Sequence, residues 1–95
     1  MDDKLKSEEA DQLFDAILTL KNREECYQFF GDLCTVKEVA SLSQRYAVAV
    51  MLTEKKTYIE IAEKTGASTA TISRVNRSLS YSNGGYDIIF ERIQN

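Results

Sequence analysis

The 95-residue chain contains no histidine, so the usual general base and the usual zinc ligand are both missing. It has no proline, which favours long uninterrupted helices. Its four glycines, Gly31, Gly66, Gly84 and Gly85, fall in neither a phosphate-loop nor a dinucleotide spacing. Cys26 and Cys34 form no CxxC pair and have no histidine companion, so the plain reading is two reduced, partly buried thiols. No N-terminal apolar run reads as a signal peptide, and no segment approaches a membrane span. Expected, then, is a cytoplasmic protein with no catalytic residues, no metal, no cofactor and no membrane partner.

Net charge is −3, which at first sight suits no polyanion. The distribution says otherwise. Residues 1–34 hold four Lys/Arg against nine Asp/Glu, whereas residues 35–95 hold eight against six. Between Lys64 and Tyr81 the charged residues are Lys64, Arg74 and Arg77, with no acid among them. Local potential, more than total charge, decides where a polyanion docks. The acidic N-terminal third should face away from it.

Ninety-five residues make one domain, 1–95, with a charged and disordered segment over 1–7. A first helix runs from Ser7, with Leu13, Phe14, Ile17, Leu18 and Leu20 forming its apolar stripe. A second covers Glu24 to Leu33, with Cys26, Tyr27, Phe29, Phe30 and Leu33 facing inward. Thr35-Val36-Lys37-Glu38 is a capping box opening a third helix that runs to about Leu52–Glu54. Its second half, Tyr46 to Leu52, is apolar on nearly every face. A helix of that kind sits in the middle of a core larger than this chain supplies, which predicts an obligate, intertwined homodimer.

The stretch 57–80 reads as a helix-turn-helix. Thr57-Tyr58-Ile59-Glu60 is a second capping box, Ile59, Ile61 and Ala62 are packing residues, and Thr65-Gly66 makes the turn. Ser68 caps a fifth helix to about Ser80, with Ile72 and Val75 facing inward. Asn83-Gly84-Gly85 is a loop with positive-φ positions. A last helix covers Tyr86 to Ile93, with Tyr86, Ile89, Phe90 and Ile93 on one face.

A recognition helix must approach base edges closely, which favours small and hydroxyl side chains. Ser68, Thr69, Ala70 and Ser73 fit that requirement. Thr57, Tyr58 and Lys64 suit phosphate contacts, and for Thr57 and Ser68 the cap is the primary role; Arg77 is either a phosphate contact or a solvated surface charge. Arg74 has three readings: phosphate, an acid on another helix, or an anionic ligand.

The string Gly66 to Leu79, GASTATISRVNRSL, resembles the second half of the helix-turn-helix of the tryptophan repressor. The longer signature, from Ser43-Gln44-Arg45-Tyr46 through ATISRV to LSYSNGGY, is similar to the Trp repressor-related proteins of YerC/YecD type. The resemblance implies an all-α, six-helix fold and a dimer that binds a palindromic operator in double-stranded DNA. It further implies a repressor of amino-acid biosynthetic genes. A small amino-acid-like effector would lie between the central and recognition helices, against Thr71, Arg74, Val75 and Ser78. A second pocket arginine falls at Arg45 counting on from Thr35, but at Gln44 counting back from Gly66. Val75 stands where the repressor has a glycine beside its ligand, and a branched side chain there intrudes on space an indole needs. The other class of function open to this sequence is a dimeric protein-interaction module that kept the fold and lost DNA binding.

Overall fold

The computed structural model describes residues 3–81 and 83–94. Six α-helices and one short 3-10 turn make up the regular structure of those residues, with no strand among them. By contacts the chain divides into two units, residues 1–39 and 40–95.

In the first unit, Asp3–Leu5 forms the 3-10 turn, while residues 1–2 of the segment expected to be disordered lie outside the described residues. The Ser7 hydroxyl accepts from the Ala10 amide and opens α1 (Glu8–Ile17), whose first turn carries Glu8, Glu9 and Asp11. Acidic side chains there complement the positive end of the helix dipole. Asn22 caps α2 (Arg23–Leu33) through the Glu25 amide, and Glu25 accepts in return from the Lys21 amide. At the start of α3 (Val36–Thr53), Thr35 and Glu38 exchange hydrogen bonds of 2.8 and 3.1 Å, as the capping-box pattern predicts.

Neither α1 nor α2 contains a buried residue. The inward-facing set expected on α2 is corrected accordingly: Phe29 and Phe30 are half-buried, but Cys26, Tyr27 and Leu33 are exposed. Of the stripe expected on the first helix, Leu13, Ile17 and, past its end, Leu20 are half-buried, whereas Phe14 and the C-cap Leu18 are exposed. Two short helices have no interior in which to hide every face, so periodicity marks an apolar side without securing its cover.

In the second unit the core is small and continuous. Val48 and Ala49 of α3 pack with Ile61 of α4 (Tyr58–Thr65), Ala67 of the turn, and Ile72 and Val75 of α5 (Thr69–Ser80). Met51, Leu52, Ala62, Leu79, Tyr86 and Phe90 close around them. The apolar half of α3 is therefore only partly covered: Tyr46, Ala47, Val50, Met51 and Leu52 remain half-buried. Ile59, expected in this packing, is 72% exposed. It lies two positions from Ile61, and residues two apart do not share a helix face.

The end of α3 is held by Lys55 at φ 66°, with the Lys56 amide donating to the Met51 carbonyl and the Lys55 amide to the Leu52 carbonyl, both at 3.1 Å. This is a left-handed C-cap with lysine where glycine is usual. Before α6 (Gly85–Gln94), among the described residues Gly84 takes positive φ, at 86°, whereas Gly85 is already helical, so the last helix starts one residue earlier than expected. Phe90 ties α6 to α3, its ring stacked on Tyr86 at 5.8 Å and tilted against Tyr46 at 6.0 Å. Tyr81 is 87% exposed.

Candidate nucleic-acid interface

The helix-turn-helix is fixed by bonds that its own sequence supplies. Thr57 and Glu60 form a complete capping box at the start of α4, each contact 3.1 Å. Glu60 is held below the usual carboxylate range, first by the Thr57 backbone amide and then by the Thr57 hydroxyl. At the other end, Gly66 at φ 73° donates its amide to the Ala62 carbonyl at 2.8 Å. The Thr65 hydroxyl donates to the Ile61 carbonyl and accepts from the Ala67 amide, which lets Ala67 enter the core. The Gln44 amide then donates to the Thr65 carbonyl at 3.1 Å, fastening the turn to α3. Sequence reasoning met Gln44 only as an alternative pocket position, because a contact 21 residues away has no local signature.

The side chains of α5 fall into three stripes at helical spacing. Ile72, Val75 and Leu79 turn to the core. Thr69, Ser73, Asn76 and Arg77 form a second stripe, of which Thr69, Asn76 and Arg77 are exposed and Ser73 is half-buried. Thr71, Arg74 and Ser78 form the third, with Thr71 half-buried and the other two exposed. Small polar groups and a cation thus share one accessible side of α5, with Ala70 exposed at its margin.

Each expected DNA-contact residue can now be placed. Ser68 acts as the N-cap of α5, accepting from the Thr71 amide and donating to the Thr71 hydroxyl, both at 3.1 Å. Thr57 is likewise engaged in its capping box. Lys64 is exposed in the last turn of α4, where a cation complements the helix dipole. Tyr58, the first residue of α4, is 37% exposed, and its phenol oxygen accepts a 3.2 Å hydrogen bond from the side-chain amide of Asn76. Asn76 escaped the sequence reading, since its partner lies on the other helix. Among the described residues, Arg45, Lys64, Arg74 and Arg77 enter no ion pair.

The residues expected around an effector are less united. Val75 is 2% exposed and belongs to the core, so it fills space and does not line an open site. Ser78 borders a cavity of about 400 Å³ with Tyr46, Tyr81, Asn83, Gly85, Tyr86 and Ile89; Arg45, Thr71, Arg74 and Val75 are not part of its wall. Arg45 is exposed, and Gln44 is committed to the Thr65 carbonyl. Thr71 and Arg74 do share a face of α5 with Ser78.

Six helices with a bonded helix-turn-helix packed on a central helix are the fold of a DNA-binding regulator. The family model described as Trp repressor protein matches residues 8–94. The Bacillus subtilis (strain 168) protein called "Uncharacterized protein YerC" is 56% identical over 92 residues, covering 97% of this chain and 88% of that one. A solved TrpR-like protein from Eubacterium eligens ATCC 27750 superposes with a TM-score of 0.94 at 62% identity, over 98% of this chain and 96% of its own. A second solved chain, from Staphylococcus aureus, gives 0.92 at 59% identity, over 97% and 92%. The chain belongs to the Trp repressor family.

Proposed function

We propose that this chain is a cytoplasmic, sequence-specific DNA-binding repressor that acts as a homodimer on a palindromic operator, and that amino-acid biosynthetic genes are its targets. The observation that carries this reading is the accessible stripe of α5, where Thr69, Ser73 and Arg77 stand together in a stretch, 64–81, without a single carboxylate. Thr69, Ala70 and Ser73 meet base edges, while Arg77, Lys64 and Tyr58 meet phosphates. Thr57 and Ser68 act mainly by fixing the two helix starts. Two such helices, one per subunit, enter successive major grooves about one helical turn apart.

A small amino-acid-like effector belongs to the same reading. Arg74, without an ion-pair partner among the described residues, and the Thr71 and Ser78 hydroxyls offer a carboxylate a cation and donors on one face of α5. With Val75 filling the core beside them, the ligand is slimmer than an indole.

Binding-site selection from random duplexes tests the proposal. Expected is a symmetric site, bound with a steep salt dependence because phosphate contacts release counterions. Thr69→Ala should change the selected sequence. Arg77→Ala should weaken all duplexes about equally. A protein that enriches no site is an interaction module and not a regulator of this kind.

A further inference from the structure

Resting on the DNA-binding reading above, we propose that Asn76 is a positioning residue: its side-chain amide holds the Tyr58 phenol with the hydroxyl proton turned outward, as a donor to a DNA phosphate. The two residues come from different helices, 18 positions apart, and meet at 3.2 Å. Tyr58 begins α4 within a complete capping box, between Thr57 and Glu60, so its backbone is fixed. Asn76 lies in the C-terminal half of α5, on the stripe that also carries Thr69 and Ser73. The hydrogen bond therefore ties the start of the first helix to the reading side of the second.

The direction of that bond matters. A phenol has one proton to give and lone pairs to receive with. Because Asn76 gives the proton of the shared bond, Tyr58 keeps its own, and no other described group accepts it. Tyr58 is 37% exposed, so the residue lies at the surface and not in the core. No acidic side chain occurs between Lys64 and Tyr81, leaving a phosphate oxygen as the acceptor of charge best matched to this surface. Holding the ring and the hydroxyl rotor before contact lowers the ordering cost of binding. Asn76 thus acts through Tyr58.

A double-mutant cycle on affinity for the selected operator tests this, with thermal unfolding as the control for folding. Tyr58→Phe should weaken binding about tenfold on all sequences, the effect of losing one charge-assisted hydrogen bond. Asn76→Ala should weaken it by a smaller factor, about threefold, by freeing the ring and its rotor. In the Tyr58→Phe background the same Asn76→Ala change should cost nothing further. Asn76→Asp, which keeps the shape but replaces the donor by an acceptor, should cost more than Asn76→Ala, since it draws the phenol proton inward and adds a negative charge. Equal costs of Asn76→Ala in both backgrounds would overturn the positioning role while leaving DNA binding intact. A changed sequence preference in Asn76→Ala would make it a base reader and overturn the role as well. Failure of the wild-type chain to bind any duplex removes both readings together.

Discussion

α1 and α2 are as well started as α4 and α5, each with a side-chain cap, yet the two pairs end in opposite states. The helix-turn-helix and α3 enclose Val48, Ala49, Ile61, Ala67, Ile72 and Val75, while α1 and α2 contain no buried residue at all. Leu18 is 81% and Tyr27 72% exposed, and Phe14 and Leu33 are exposed with them. Capping decides where a helix begins and is satisfied within one turn. Burial needs a second surface, and residues 1–39 do not contain one. One region therefore encloses a core of its own, and the other carries apolar side chains without one.

The sharpest way to break this comparison is to truncate one side chain in each region. Ile72→Ala should destabilise the chain by about 3 kcal/mol in denaturant unfolding, the usual cost of a cavity at a fully buried site. The effect should be the same at every protein concentration in its local part. The double change Phe14→Ser with Leu18→Ser should instead weaken self-association by about tenfold, because it removes exposed apolar area available to a second copy. Its signature is a melting temperature that depends more steeply on protein concentration. If the two variants lose stability alike and independently of concentration, the division between the regions is wrong.

A smaller effect probes the join between α3 and α4. Lys55 holds a left-handed backbone that glycine adopts without strain. Lys55→Gly should therefore raise stability by about 1 kcal/mol, read as a shift in the denaturant midpoint at unchanged slope. Loss of stability there would mean that the lysine side chain has a role beyond the turn.

The smallest effect compares the two capping boxes. Glu38 and Glu60 both sit below the usual carboxylate range, each held there chiefly by a backbone amide, that of Thr35 and of Thr57. A lowered folded value means stability that is fully present above the unfolded carboxylate's range and is lost as pH falls through the folded value. Glu38→Gln and Glu60→Gln should each make the acid-side decline of melting temperature shallower. An unchanged decline in both would show that neither carboxylate contributes.

Local chemistry is what the sequence made legible. Thr35, Thr57 and Ser68 act at helix starts where their spacing to the next acid or amide predicts, and Gly66 takes the left-handed turn. What stayed hidden is long-range or depends on cover. Gln44 and Asn76 bond residues 21 and 18 positions away, and neither shows a pattern along the chain. Tyr27, Leu33 and Ile59 have the composition of core residues without the neighbours to make them so. Asn22 and Lys55 are missed for a different reason: a cap can be built on an asparagine without a box, and a left-handed cap on a residue other than glycine. For the site, the residue types of the reading stripe and the inward side of Val75 were legible. The orientation of Tyr58 required the packing of α4 on α5.

Sedimentation equilibrium of the full chain, run from low micromolar concentration upward, is the most direct test that the exposed face of α1 and α2 is completed by a second copy. Expected is a single species of twice the 10.8 kDa chain mass, unfolding cooperatively. A cooperatively folded species at 10.8 kDa over the whole range would contradict it.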